Sequence, residues 1–181
     1  MTEQLTNRKK EVIVTYAIRS AQPEDGTKIV EFYNRVGGET DYLSFGHDEY
    51  SLSAESLTQA IVQMKKFKGT CMFLVIEGKE ILGIGTIDSS SKPRYRHVGT
   101  LGIVISQSHT GNGLGRVLMN TLIDWAKTNG QTEKISLVTR ADNERAIALY
   151  KKVGFEQEGT FYRDVYDGER YYDNLSMALY L

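Results

Sequence analysis

With 181 residues, 40% of them hydrophobic and 25% charged, the chain has the apolar material for one ordinary core and lacks the composition of a disordered protein. A formal net charge of -1 gives no overall attraction to phosphate polyanions, and the densest basic cluster, Lys65, Lys66 and Lys68, reads as a solvated helix face, so neither nucleic acid nor a membrane is an expected partner. The lone Cys71 excludes an intrachain disulfide and any zinc site built on several cysteines, no segment approaches the ~20 apolar residues that span a bilayer, and a metal-free cytoplasmic protein is the default expectation.

Residues 1–11 are polar and basic and read as an N-terminal tail, with 12–181 as one α/β unit. Val12 to Arg19 is rich in β-branched residues and predicts a strand. Pro23 suits an early helical position, and Ile29, Val30, Phe32, Tyr33 and Val36 recur at helical intervals until Gly37 and Gly38 stop them. The stretch 39–53 has no clear period and predicts an ordered loop or broken helix, followed by a helix from Ala54 to Phe67. Two apolar runs, Cys71 to Glu77 and Ile81 to Asp88, flank Gly78-Lys79-Glu80 and predict an antiparallel hairpin. Tyr95 to Ile105 supplies another strand. From Gly113 to Thr128, the positions of Leu114, Val117, Leu118, Leu122 and Trp125 form one helical stripe. A strand from Lys134 to Arg140, a helix from Glu144 to Val153 and two strands around the Asp167-Gly168 turn complete the chain.

The sharpest local feature is Thr110-Gly111-Asn112-Gly113-Leu114-Gly115-Arg116, where a strand hands over to an amphipathic helix. Glycine lets a backbone approach a phosphate without an intervening side chain, and the first helical N–H groups lack internal partners while the helix dipole favours an anion there. A tight strand-to-helix turn uses glycines too. The order of elements weighs against two nucleotide-binding readings: several strands precede this loop, the next strand ends in Arg140 instead of an acidic residue, and Gly115-Arg116-Val117 replaces the Gly-Lys-Ser/Thr of a phosphate-loop NTPase.

Downstream, Asn143-Glu144-Arg145-Ala146-Ile147-Ala148-Leu149-Tyr150-Lys151-Lys152-Val153-Gly154-Phe155 places Ala146, Leu149, Tyr150 and Val153 on one helical face. Taken singly, Asn143 reads equally well as an N-cap and Tyr150 as core filling. Together with the glycine loop, these residues resemble the signature of the Gcn5-related (GNAT) acetyltransferases, and the order of elements resembles that family over nearly the whole chain. The resemblance implies a mixed α/β fold: a mostly antiparallel central sheet with a parallel, splayed central pair, flanked by helices. It implies an acetyl-CoA-dependent N-acetyltransferase acting on a primary amine of a small molecule, peptide or protein N-terminus by direct attack in a ternary complex; a catalytically silent CoA-binding module is the alternative.

By position, the resemblance maps the pantetheine arm to Leu101, Gly102, Ile103, Val104 and Ile105, and the pyrophosphate to Thr110, Gly111, Asn112, Gly113, Leu114, Gly115 and Arg116. Asn143 matches a pantetheine contact and Tyr150 the general acid that protonates the departing thiolate. Thr110 stands where the family usually has Gln or Arg, leaving Arg116 to supply charge. Thr100 stands where many relatives carry a basic glutamate. His97 is then a candidate base, with Glu49, Asp164, Glu169 and Asp173 as others. Cys71 lies in an apolar run and is expected to be core, so no acyl-enzyme nucleophile is expected. Relatives commonly dimerise, which makes a homodimer the family expectation.

Overall fold

The apolar and β-branched runs of the sequence are drawn into a single sheet. The computed structural model describes residues 2–6 and 13–181, with side chains from Tyr16 onward. Eight strands form it: β1 (Thr2–Thr6), β2 (Ile13–Ser20), β3 (Cys71–Glu77), β4 (Glu80–Ser89), β5 (Val98–Ile105), β6 (Lys134–Arg140), β7 (Glu156–Tyr166) and β8 (Tyr171–Tyr180). Their spatial order is β1-β2-β3-β4-β5-β6-β8-β7. Every neighbouring pair is antiparallel except β5 and β6, which run parallel. Helices α1 (Gly26–Gly37), α2 (Ala54–Met64), α3 (Leu114–Thr128) and α4 (Glu144–Lys152) cover the two faces. This is the mixed α/β architecture that the family resemblance implies.

The strand sequences explain why both faces are covered. In β3, Cys71, Phe73 and Val75 join one apolar cluster while Met72, Leu74 and Ile76 join another. A run buried on both sides reads as continuous apolar sequence instead of alternating with polar residues. The first cluster contains Leu114, Leu118, Met119 and Leu122 of α3 with Tyr150 of α4; the second contains Ile29, Phe32 and Val36 of α1 with Leu57 and Ile61 of α2. So α3 and α4 share one face, and α1 and α2 the other.

Three sequence expectations shift. Thr2–Thr6, read as part of a polar tail, pairs antiparallel with Ile13–Ala17 as an edge strand, while Val12 and the rest of the predicted tail lie outside the described residues. β5 begins at Val98, because the Lys92 carbonyl accepts from Tyr95 and Arg96 N–H at 2.9 and 3.1 Å, closing a turn over residues the sequence assigns to strand. α2 stops at Met64, where Lys66 and Phe67 bond back three residues to Gln63 and Met64. Among the described residues, no helix is long and apolar enough to cross a membrane.

α3 lies directly on β4 at Gly85, where a Cβ would come within 2.6 Å of Leu122 Cδ1 and 3.0 Å of Leu118 Cγ. Gly85→Ala should therefore destabilise the fold by about 1–3 kcal/mol through overpacking, seen as a lower urea midpoint at unchanged m-value.

Candidate active site

β5 is paired along its whole length on one edge only. Its register with β4 runs from Ser89↔Gly99 to Gly83↔Ile105, whereas its parallel register with β6 covers only Val98↔Lys134, Gly99↔Ile135 and Thr100↔Ser136. β6 meanwhile stays paired with β8 as far as Arg140↔Asn174. The two strands splay, opening a gap beyond Thr100 and Ser136. Ser106 N–H donates to the Leu82 carbonyl at 2.9 Å, so strand alternation turns the backbone groups of Ile105, Ile103 and Leu101 away from β4 and into that gap. Of the five residues assigned to an extended arm, Ile103 and Ile105 present both N–H and C=O to the gap and Leu101 its carbonyl, its N–H closing the last bridge to Ser136; together they span ~13 Å of strand edge.

At the gap's far end, a short helical turn, Gln107–His109, leads into the glycine loop. The Thr110 hydroxyl donates to the Gln107 carbonyl at 2.8 Å, so this side chain shapes the loop. Gly111 and Gly113 adopt φ of 87° and 85°, and Gly113 caps α3 in the left-handed conformation. Only glycine enters that region without strain. The Gly113 carbonyl takes the N–H groups of Arg116 and Val117 at 3.1 and 3.2 Å, which leaves those of Leu114 and Gly115 without a partner inside the helix, at its electropositive end. Asn112 sits between the two turning glycines.

The second motif abuts the first. A Cβ on Gly115 would stand 3.4 Å from Leu149 Cδ2, and one on Gly111 would stand 3.7 Å from Arg145 Nη2. α4 therefore lies beside the loop at both glycines. Arg145 is a cation that the sequence reading passed over: its place in the first turn of α4, two residues after Asn143, was the available signal. Arg116, exposed on α3, is a second positive group at this end. Asn143 caps α4, its Oδ1 accepting the Ala146 N–H at 3.3 Å, so the capping role is real and occupies the carbonyl oxygen of its amide.

Tyr150 is 8% exposed and belongs to the α3-side cluster together with Leu101 and Leu114. Among the described residues none hydrogen-bonds its hydroxyl, and burial pushes its pKa up to about 12. Strand edge, glycine loop and tyrosine thus lie on the same side of the sheet. Cys71 is buried as expected, with its thiol pushed up to about 12, which keeps it protonated and inert.

The structure does not bring His97 to these groups. It is exposed in the turn before β5, its carbonyl accepting the Glu133 and Lys134 N–H groups at 2.9 and 3.2 Å. That is the paired end of β5 and β6, four residues and thus ~13 Å of strand before Leu101. Thr100 is exposed at the last paired position. The other candidate carboxylates serve local structure: Glu49 accepts the Gly46 N–H at 2.7 Å, Asp164 the Asn174 amide at 2.7 Å and Asp173 the Arg163 N–H at 2.8 Å. Glu169 sits in the β7–β8 turn, where its N–H donates to Asp167.

The profile of the acetyltransferase (GNAT) family matches residues 39–155, a stretch holding the gap, the glycine loop and α4. The chain belongs to the GNAT family. Among GNAT relatives, the L-amino acid N-acetyltransferase AaaT of Escherichia coli is 33% identical over 99 residues, which is 55% of this chain and 61% of that protein. A GNAT-family acetyltransferase from Streptococcus pneumoniae superposes with a TM-score of 0.89 at 32% identity, covering 92% of this chain and 99% of the other. The fold is shared too with yncA, a putative acetyltransferase from Salmonella typhimurium solved with its cofactor acetyl-CoA, at a TM-score of 0.80 and 22% identity over 92% of this chain and 94% of that one.

The raised Tyr150 pKa has a measurable consequence for this GNAT chain. Folded, the hydroxyl keeps its proton to about pH 12, while an unfolded tyrosine releases it near pH 10. The stability that this burial contributes is therefore fully present below pH ~10 and is lost as the pH rises towards ~12. Urea titrations at about pH 9 and about pH 11 should show a smaller loss of stability for Tyr150→Phe than for the parent.

Proposed function

We propose that the protein transfers the acetyl group of acetyl-CoA to a primary amine of a small molecule or peptide, by direct attack with both substrates bound. The observation that carries this reading is the convergence, on one side of the sheet, of an unpaired strand edge, a glycine-capped helix N-terminus and a buried tyrosine. Each matches one part of the thioester cosubstrate. The diphosphate fits the amides of Gly111 to Gly115, reinforced by Arg116 and Arg145. The amide-bearing arm fits the free edge at Ile105, Ile103 and the Leu101 carbonyl, as an added strand would. The thioester supplies the activated acetyl group.

The chain's own groups then divide the chemistry. Unpaired N–H groups in the middle of β5 polarise the acyl carbonyl, as fixed donors do in an oxyanion hole. The Tyr150 hydroxyl holds a proton at every physiological pH and delivers it to the departing sulfur as the C–S bond breaks, and the phenolate left behind is reprotonated, through solvent, by the proton that the new amide nitrogen sheds. Asn143 positions α4, and hence Tyr150, by capping the helix. The amine arrives neutral, having lost its proton to solvent at the exposed mouth around Thr100; His97 is left out because the gap lies beyond its reach. The reading extends to a cytoplasmic homodimer, supported by aromatic side chains on the β7–β8 hairpin such as Tyr162, 80% exposed.

Calorimetric titration with acetyl-CoA, followed by thiol-release assays against amino acids, polyamines and short peptides, tests the reading. Gly113→Ala should weaken acetyl-CoA binding about tenfold, because an L-residue at φ 85° is strained by about 1–2 kcal/mol and crowds the phosphate. Tyr150→Phe should lower kcat about 100-fold at nearly unchanged acetyl-CoA affinity. Nucleotide binding without CoA binding would overturn the assignment, and an unchanged kcat in Tyr150→Phe would remove the tyrosine from the acid role.

A further inference from the structure

Loop residues 39–42 cross the open end of the β5–β6 gap and are fastened on both sides of it. On the β5 side, a Glu39 carboxylate oxygen accepts the Gln107 N–H at 2.6 Å, just before the glycine loop. On the β6 side, Arg140 Nη1 donates to the Asp41 carbonyl at 3.0 Å. The Tyr42 ring lies 4.9 Å from the same guanidinium, and its hydroxyl donates to the Asp142 carbonyl at 3.4 Å.

Arg140 joins the pieces. Its fork bonds both oxygens of Asp142, at 2.9 and 2.6 Å, and it packs 3.7 Å from the ring centroid of Tyr172 on the hairpin. Its side chain is 9% exposed. With its charge already paired, this arginine is poorly suited to capture an anionic ligand. What the geometry does is hold three segments in one arrangement: the loop after α1, the turn into α4 and the β7–β8 hairpin. A planar five-donor group can do this, and a lysine ammonium cannot reproduce it.

The side of the sheet identifies what the loop would contact. Ile135 and Leu137 join the α3-side cluster, so alternation puts Ser136, Val138 and Arg140 on the opposite face. There α1 and α2 pack over β3 and β4, while Val138 is 55% exposed. We propose that Arg140 is a positioning residue for the acceptor amine: by locking residues 39–42 across the gap, it builds the acceptor-side wall and sets the KM of the amine without touching the acetyl-CoA cradle. This rests on the acyltransferase reading.

Hydrogen–deuterium exchange on the full chain, with kinetics on the most active amine of the panel, tests the proposal. In R140K, amides within 39–50 should exchange about tenfold faster with those of α3 unchanged. Acceptor KM should rise about 5–10-fold, with kcat and acetyl-CoA Kd within about twofold of the parent. Tyr42→Leu should reproduce both effects, and the double variant should be no worse than R140K alone, because one latch is being broken twice. Unchanged exchange in 39–50, an acetyl-CoA Kd that weakens in step with KM, or additive effects in the double variant would overturn it; should R140K fail to fold, Tyr42→Leu alone decides on the same readouts. If the parent binds acetyl-CoA but the loop does not loosen, only this proposal falls. A parent that binds no acetyl-CoA removes the acyltransferase reading, and the acceptor role with it.

Discussion

The structure turns on two adjacent parallel strands that stop pairing after three residues. β5 keeps β4 and β6 keeps β8, so the sheet loses no strand, yet an inner edge of backbone donors and acceptors is left open between them. Backbone polar groups on these half-buried residues are available to a partner. Neither strand can supply one, and a ligand with alternating amides can. The gap also fixes where everything else must stand, since α3 starts from the end of β5 and α4 from the end of β6, and both pack on the same face.

That arrangement brings two helix N-termini side by side. α3 contributes unpaired first-turn amides and α4 a first-turn arginine, where Gly111 and Gly115 lie beside Arg145 and Leu149. The glycines are not equivalent. Gly111 and Gly113 are required for their backbone conformation, whereas Gly115 is a helical residue at ordinary contact distance from Leu149.

Most of the framework was legible because its signals are local. The β6 strand Lys134–Arg140 and the apolar stripe of α3 follow from patterns within a few residues, and the two hairpins follow from Gly78 and Gly168, both at positive φ. The splay was not legible in this way; periodicity says nothing about where two strands part, and only the family resemblance implied it. Arg145 escaped notice because a charged residue early in a helix usually faces solvent. The bonds from Glu39 to Gln107 and from Arg140 to Asp41 join residues 68 and 99 positions apart, and no short-range pattern encodes them. His97 misled for the complementary reason: its chemistry was right and its place on the strand was wrong.

The acidity of Tyr150 at first sight argues against its role. A phenol held near pKa 12 is a weak acid towards an ordinary thiolate, whose conjugate thiol titrates near 8.5, a mismatch of about 3.5 units or roughly 5 kcal/mol. The same core supplies the counterargument. Cys71, buried in the cluster that holds Tyr150, has its thiol pushed up to about 12 by desolvation, against the lowering effect of a hydrogen bond with the Ile87 backbone. A sulfur leaving into comparable surroundings would be raised in the same direction, because low dielectric penalises thiolate and phenolate alike. In the proposed mechanism the two acidities would converge only while water is kept from the sulfur, so proton transfer would depend on desolvation there and not on any special acidity of the tyrosine. On that reading, the burial that makes Tyr150 a poor acid in isolation would also match it to the departing sulfur.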